Sequence, residues 1–355
     1  MELKKLHSED NILAIGFAES RIGGRGENQD SFEAKELPLG FVVTVCDGMG
    51  GGPGGKTAST IAVREILEGI ESSNGEETVP NILIKAVRRA NMAIIEAANE
   101  TPELQGMGST ATVLLINEQA AYVAHVGDSR VYQFRGHKKI FRTFDHSMVF
   151  DLVKQGVITE EQARLSAQSN IITRALGIKP DVEVDVVELP YERGDRFMLT
   201  TDGIHGTMPE PELIKLATNH KNVLGVLTDD ISTLVDDKGV TSGGGHDNLT
   251  IAIIETKVNS KKKSKMSRNT KLSMLAVAAL CVISVVFNII QCANRKPPVE
   301  TQKLLDSISV IQKEKQDSIN ILSDSLRARN TYINSIKKRT GEYLKDEIIK
   351  EIYKQ

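Results

Sequence analysis

The feature that most limits what this chain can fold into is the shortness of its apolar runs. Eight of strand length, ILAIGFAES, GFVVTVCD, STATVLLIN, AAYVAHVGD, SRVYQF, VEVDVVEL, DRFMLTTD and NLTIAIIE, fall within residues 1–256. In VEVDVVEL, Val182, Val184 and Val186 alternate with Asp181, Glu183 and Asp185, which predicts one buried face and one wet face. FVVTVC and RFMLTT are uniformly apolar, as strands covered on both faces should be. Helical spacing marks Gly55–Ile70 and Pro80–Asn99, and shorter helices fit 148–155, 160–165, 210–218 and 223–235. Strands follow one another with helices grouped between them. The expected fold is therefore α+β: two packed antiparallel β-sheets flanked by helices, an α-β-β-α sandwich.

Four of these runs have an aspartate at or beside an end. Asp47, Asp128, Asp202 and Asp247 stand in VTVCDGMGG, AHVGDSRVY, MLTTDGIHG and GGHDNLTIA, and a fifth acid, Asp30, lies in RGENQDSF. Any one of them is most simply a turn residue. Together they resemble a cradle for hard cations, because Mg²⁺ and Mn²⁺ prefer six oxygen ligands and clustered carboxylates need a cation to stay ionised together. Composition removes other classes. A net charge of −3, no Trp and 4% aromatic residues give no surface for nucleic acid. Cys46, Cys281 and Cys292 form neither a ligand cluster nor a disulfide framework, and the first ten residues hold no apolar signal-peptide core.

One stretch points elsewhere. Within GMGGGPGGKTAS, Gly50–Thr57 satisfies the phosphate-loop pattern G-x-x-x-x-G-K-S/T, so a nucleotide hydrolase is the competing reading. Pro53 would remove one of the loop amides, and Asp47 would repel a nucleotide phosphate. That reading explains a single stretch.

Eight stretches in a fixed order support another. RGENQDSF (25–32), CDGMGGG…GGKTAS (46–59), GMGSTATV (106–113), AHVGDSRVY (124–132), FDHSMV (144–149), ITRALG (172–177), RGDRFMLTTDGI (193–204) and HDNLTI (246–251) cover residues 10–256. The chain resembles the metal-dependent serine/threonine protein phosphatases of the PPM (type 2C) family in their bacterial form. The resemblance implies that Asp47 bridges two Mn²⁺ or Mg²⁺ ions with the Gly48 carbonyl as a further ligand. It implies that Asp202 and Asp247 complete one site, and that Asp128 helps to bind a third, weaker ion. Asp30 would order metal-bound waters, Arg25 would hold the substrate phosphate, and residues 146–171 would form a variable flap. Two ions about 3.5–4 Å apart would make hydroxide from water at neutral pH, and this would attack phosphoserine or phosphothreonine in line. Gln29 stands where many relatives have Glu, and Met49 where some have a histidine; both read as variation. Of the neighbouring histidines, His125, His146, His205 and His246 are expected in structural roles or hydrogen-bonded to carboxylates, and Lys56 as a solvated helix residue.

After residue 256 the chain changes character. Lys261–Lys271 holds six cationic residues and no acid, and Leu272–Ile290 then runs nineteen residues without a charge. At 1.5 Å per residue that length matches the roughly 30 Å core of a bilayer. The expected organisation is a phosphatase domain (1–258), a basic juxtamembrane linker (259–271), a transmembrane helix (272–291) and an extracytoplasmic helical tail (297–355). By the positive-inside rule the catalytic domain is cytoplasmic, in a single-pass protein of the cell (inner) membrane. In the tail, Leu304, Ile308 and Ile311 start a heptad seam that resumes, after a stutter near Lys315, at Ile319, Leu322, Leu326, Arg329, Ile333 and Ile336, interrupted only by Arg329. A coiled-coil homodimer through this helix is one reading; a solvated amphipathic helix is the other. The expected partners are the bilayer, phosphoserine or phosphothreonine proteins, and among these a membrane serine/threonine kinase or its substrates. An inactive, membrane-anchored scaffold is the alternative from a different class; retention of Arg25 and all five aspartates argues against it.

Overall fold

The computed structural model describes residues 3–50, 53–73, 76–261 and 299–352. The expected membrane span, 272–291, and most of the basic linker lie outside the described residues. Among the described residues no helix is long and apolar enough to cross a membrane. Contacts divide the chain into two units, Met1–Lys265 and Met266–Gln355.

Two antiparallel sheets form the first unit. One is ordered β1-β2-β13-β12-β9-β10: β1 (Lys4–Lys5), β2 (Ala14–Arg21), β13 (Leu249–Thr256), β12 (Arg196–Thr200), β9 (Arg130–Arg135) and β10 (Lys138–Arg142). The other runs β11-β8-β7-β4-β3: β11 (Asp185–Leu189), β8 (Ala121–Val126), β7 (Ala111–Ile116), β4 (Gly40–Cys46) and β3 (Ser31–Leu37). A short ladder joins β5 (Gly48–Met49) to β6 (Gly108–Ser109).

Alternation along the strands sorts side chains into layers. On β4, Phe41, Val43 and Val45 face the opposite sheet, as do Leu114 and Val123 of the same sheet, and cluster there with Phe197, Leu199 and Ala252. Val42 and Cys46 turn outward to α1 (Gly54–Glu71) and α2 (Val79–Glu100), packing with Ala62, Ile66, Leu83 and Ile94. On β13, Ala252 and Ile254 point between the sheets. Ile251 and Ile253 point to a third core formed with α5 (Asp202–Thr207), α6 (Glu210–Ala217) and α7 (Leu224–Thr241). Each such fully buried aliphatic or aromatic side chain contributes roughly 1.5–3 kcal/mol. The expected α-β-β-α sandwich is the one observed.

The strands also give the sandwich two unlike ends. β4, β8, β12 and β2 run toward one end, and β3, β7, β9 and β13 begin there. The site acids lie at this end. At the other end are short turns, 38–39, 117–120 and 136–137. The last of these is a two-residue hairpin with Gly136 at φ 55°, which a side chain would resist.

Two short helices, α3 (Met148–Lys154) and α4 (Glu160–Arg164), lie in the expected flap. Ser147 caps α3, and Thr159 with Gln162 makes a capping box on α4. Beyond β13 the chain stays attached: the amides of Ser260 and Lys261 donate to the carbonyls of Tyr191 and Glu118. Among the described residues, the second unit contributes the helix α8 (Val299–Ile352), which runs unbroken through the stutter near Lys315.

Candidate active site

Asp47 follows β4, and Thr110 and Ser109 hold its backbone. The Asp47 amide donates to Thr110 Oγ1 at 2.9 Å, and its carbonyl accepts from the Thr110 amide at 2.8 Å and from Ser109 Oγ at 3.0 Å. Gly48, the next residue, has no space for a side chain. A Cβ there would lie 1.9 Å from the Gly55 carbonyl oxygen and 2.8 Å from that of Gln29. Similar packing brings the ends of β12 and β13 together, since a Cβ on Gly203 would meet the Asn248 carbonyl oxygen at 2.0 Å. Asp202 and Asp247 are thereby neighbours.

Asp30, at the start of β3, is buried. Its Oδ2 accepts from Thr250 Oγ1 at 2.6 Å and from Thr201 Oγ1 at 2.9 Å, and its Oδ1 has no partner. Arg25 extends from the 22–29 loop to Asp247, with Nη2 2.8 Å from Oδ2. Asn248 fastens that loop: its Oδ1 accepts from the Gln29 amide at 2.8 Å, and its Nδ2 donates to the Ile22 and Glu27 carbonyls at 2.8 and 2.9 Å. Asp128, between β8 and β9, is buried with Oδ1 unpartnered. It lines a cavity of about 280 Å³ with Asp202, Arg130, Asp145 and His205. The buried bidentate pair of Arg130 with Asp145, at 2.7 and 2.6 Å, supports its wall.

These acids press on one another. Burial, then Asp30, Asp202, Asp128 and Asp247, hold the Asp47 carboxyl well above the usual range. Burial followed by Asp202 and Asp145 does the same to Asp128. Asp202 is raised to about 6 by burial and Asp247, although a hydrogen bond from Asp47 partly stabilises its charge. Asp30 rises to about 7 through burial, against the two threonine hydroxyls that pull it down. Asp30 Oδ1, Asp128 Oδ1 and Asp202 Oδ1 are buried and unsatisfied. Mutually destabilised carboxylates with spare oxygens fit divalent cations bound by oxygen. All the aspartates expected from the sequence, with Arg25 and Gly48, thus meet at one end of the sandwich.

Lys56 differs from expectation. Its Nζ folds back to the Asp30 carbonyl at 2.7 Å and Ser31 Oγ at 3.1 Å, fixing α1 to the start of β3. The phosphate-loop reading also fails on topology. β4 lies between two antiparallel neighbours, whereas the nucleotide loop belongs to parallel βαβ units. The first turn of α1 is packed by protein, with Gly54 against Met107 and Gly55 against Gln29.

The histidines are structural, as expected. His246 Nε2 is 2.7 Å from Asp236 Oδ1, and His205 Nδ1 is 3.1 Å from Thr200 Oγ1. His125, His146 and Asp185 form a separate group whose ligand-type atoms lie within 4.8 Å of one another. Arg174 already supplies a cation there, with Nη1 2.8 Å from Asp185 Oδ1 and 3.1 Å from His146 Nε2. His146 Nδ1 accepts the Gly127 amide at 3.0 Å, which leaves the proton of the neutral ring on Nε2. That nitrogen therefore lacks the lone pair a metal needs.

A family profile described as protein phosphatase 2C matches residues 19–236. The chain belongs to the protein phosphatase 2C family. It is 32% identical over 258 residues to a serine/threonine phosphatase of Listeria monocytogenes, covering 72% of this chain and 92% of that one. The serine/threonine phosphatase structure from S. agalactiae superposes with a TM-score of 0.61 at 29% identity, covering 68% of this chain and 98% of that one. The catalytic domain of the phosphatase PstP, solved in complex with two manganese ions, gives 0.58 at 28% identity over 69% of this chain and 99% of that one. The chain is thereby a metal-dependent serine/threonine phosphatase of the 2C type, as its ordered motifs predict. The relative and the two solved structures cover 68–72% of the chain.

Proposed function

We propose that the first unit hydrolyses phosphoserine and phosphothreonine on proteins at a dinuclear Mn²⁺ or Mg²⁺ centre held by Asp47, Gly48, Asp202 and Asp247. The observation that carries this reading is the set of buried, unpartnered carboxylate oxygens on Asp30, Asp128 and Asp202. Bound cations would supply an acidified water and would offset the charge gathered by the phosphoryl group. The remaining work falls to the chain itself. Arg25, half-exposed and paired with Asp247, can exchange that carboxylate for the substrate phosphate in a bidentate contact. Asp47 is fixed at its backbone by Ser109 and Thr110, so its carboxylate needs little rearrangement on binding cations. Asp30 orders water from its buried position, and Asp128 contributes to a third, weaker site. Cys46 has no nucleophilic part, because burial pushes its thiol far up.

Hydrolysis of a phosphothreonine peptide by the full-length chain tests the reading, with Mn²⁺, with EDTA, and with Asp202→Ala. Metal-dependent release that the substitution abolishes is the expected result. A folded, Mn²⁺-binding chain that releases nothing would favour the inactive scaffold instead.

Anchoring belongs to the same proposal. The uncharged run 272–290 beside six basic residues supports a single-pass protein of the cell membrane with the catalytic unit on the cytoplasmic side. Substrates would then be phosphoproteins near the bilayer, a membrane serine/threonine kinase or its targets among them. Leu304, Ile308, Ile311, Ile319, Leu322 and Leu326 are all exposed along α8, which supports a homodimer through the tail.

A further inference from the structure

Asp30 is tied into a chain of hydroxyl groups whose direction of donation is fixed by its ends. Thr250 Oγ1 donates its one proton to Asp30 Oδ2 at 2.6 Å. Its contact with Ser20 Oγ at 2.7 Å must therefore be one it accepts, and Ser20 Oγ in turn accepts from Asn28 Nδ2 at 2.8 Å. On the other side, Thr201 Oγ1 donates to the same Oδ2 at 2.9 Å and accepts the Thr250 amide at 2.9 Å. Every donor runs toward one oxygen. Both threonines are completely buried; Thr250 lies on β13 and Thr201 directly follows β12, in the sheet opposite to the one whose strand β3 begins just after Asp30.

The consequence is an asymmetry within a single carboxylate. Oδ2 has its acceptor capacity engaged by two hydroxyls, whereas Oδ1 is buried and bare. A carboxylate free to rotate about its last bond would present either oxygen to the acid cluster; this one presents only Oδ1. Groups that orient a metal site's own residues commonly change metal affinity about 10–100-fold when removed.

We propose that Thr250 and Thr201, supported by Ser20 and Asn28, are positioning residues. They hold Asp30 Oδ2 so that Oδ1 alone serves the cation site. The assignment rests on the metal-centre reading above. The two threonines are separated by α5, α6, α7 and the approach to β13, so no local sequence pattern joins them. They act through Asp30 and touch neither substrate nor cation.

The test is Thr250→Val in the full-length chain, which keeps side-chain volume and removes the donor, beside Thr250→Ser, which restores it. Three quantities are read: thermal midpoint in EDTA, Mn²⁺ affinity by calorimetry, and peptide hydrolysis against Mn²⁺ concentration. Thr250→Val should raise the Mn²⁺ concentration for half-maximal activity, and the calorimetric Kd, by about 10-fold or more. The peptide KM at saturating Mn²⁺ should change little, the midpoint in EDTA should fall by only a few degrees for the lost buried hydrogen bonds, and Thr250→Ser should recover most of the affinity. A Thr250→Val chain that binds Mn²⁺ as tightly as the wild type would overturn the assignment, as would one whose loss Thr250→Ser does not repair. Should Thr250→Val fail to fold, Ser20→Ala at the half-buried end of the chain carries the same test. A weaker shift in the same direction supports the relay, and none overturns it. A wild-type chain without Mn²⁺-dependent hydrolysis would overturn the functional reading and this assignment together; an active wild type with an unchanged variant overturns this assignment alone.

Discussion

A methyl group on Gly48 would have to move either the Gly55 or the Gln29 backbone, because both carbonyls stand inside its contact distance. Gly48→Ala should therefore lower unfolding stability by roughly 2–4 kcal/mol and reduce Mn²⁺-dependent hydrolysis at least about 10-fold, checked by urea titration and phosphate release. His125 gives a residue-scale prediction of another kind. Burial, then the neighbouring His146, depress its imidazole to about 3. The unfolded chain therefore binds a proton that the folded chain refuses, and stability falls as pH drops from about 6.5 toward 3. The slope is about 1.4 kcal/mol per pH unit for this one group. His125→Asn should flatten that part of the curve in denaturant titrations at pH 5, 6 and 7. The cluster itself was legible from residues, because four of the five aspartates sit at or beside the end of an apolar run and Asp30 falls in one of the ordered motifs. Its supports were not: Thr110, Thr201, Thr250 and Asn248 are ordinary strand or turn residues until folding shows what they hold. Lys56 was misread for the same reason, since helical position says nothing about a contact with Asp30.

Among the elements, long apolar strands and periodic helices were readable and polar edges were not. α1 and α2 occur within a residue of their expected limits, and α7 runs to Thr241 rather than ending near Val235. β3 and β10 escaped detection. SFEAKEL and KKIFR carry too much charge for an apolar pattern, which is how an edge strand exposed to water looks. The same scale governs the loop that carries Arg25. Gly23, at φ 60°, lets the 22–29 stretch turn, and three hydrogen bonds with Asn248, two donated and one accepted, tie it to the start of β13. Asn248→Ala frees those partners, each worth about 0.5–1.5 kcal/mol. The expected result is a phosphopeptide KM raised about 10-fold with a smaller change in kcat, measured at saturating Mn²⁺. An unchanged KM would mean that the loop is held by other means.

For the whole molecule, the acid cluster makes cation binding and folding one equilibrium. The folded carboxyls of Asp30 and Asp202, at about 7 and about 6, lie above their unfolded values. Their sign is opposite to that of His125: the contribution these two carboxyls make to the metal-free fold is fully present below about pH 4 and is lost as pH rises through 6 and 7. Cations offset that loss, so Mn²⁺ should raise the thermal midpoint more at pH 7.5 than at pH 5.5, where protons compete for the same oxygens. At a hundredfold excess over Kd the gain is about 2.7 kcal/mol. The proposed tail pairing carries a separate prediction: by light scattering the full-length chain should run as a dimer and Leu322→Glu as a monomer, with peptide hydrolysis preserved; a monomeric wild type would overturn the pairing. The sandwich could be read from the succession of strands with helices grouped between them, whereas the meeting of strand ends from both sheets could not, because it depends on pairings far apart in sequence. That meeting leaves the opposite rim of the sandwich without chemical duties. Its turns are therefore places where the chain can lengthen, acquire a tag or accept a fused module while turnover continues. A Gly-Ser pair inserted between Gly136 and His137 should leave hydrolysis intact, whereas the same pair inserted after Glu27 should abolish it.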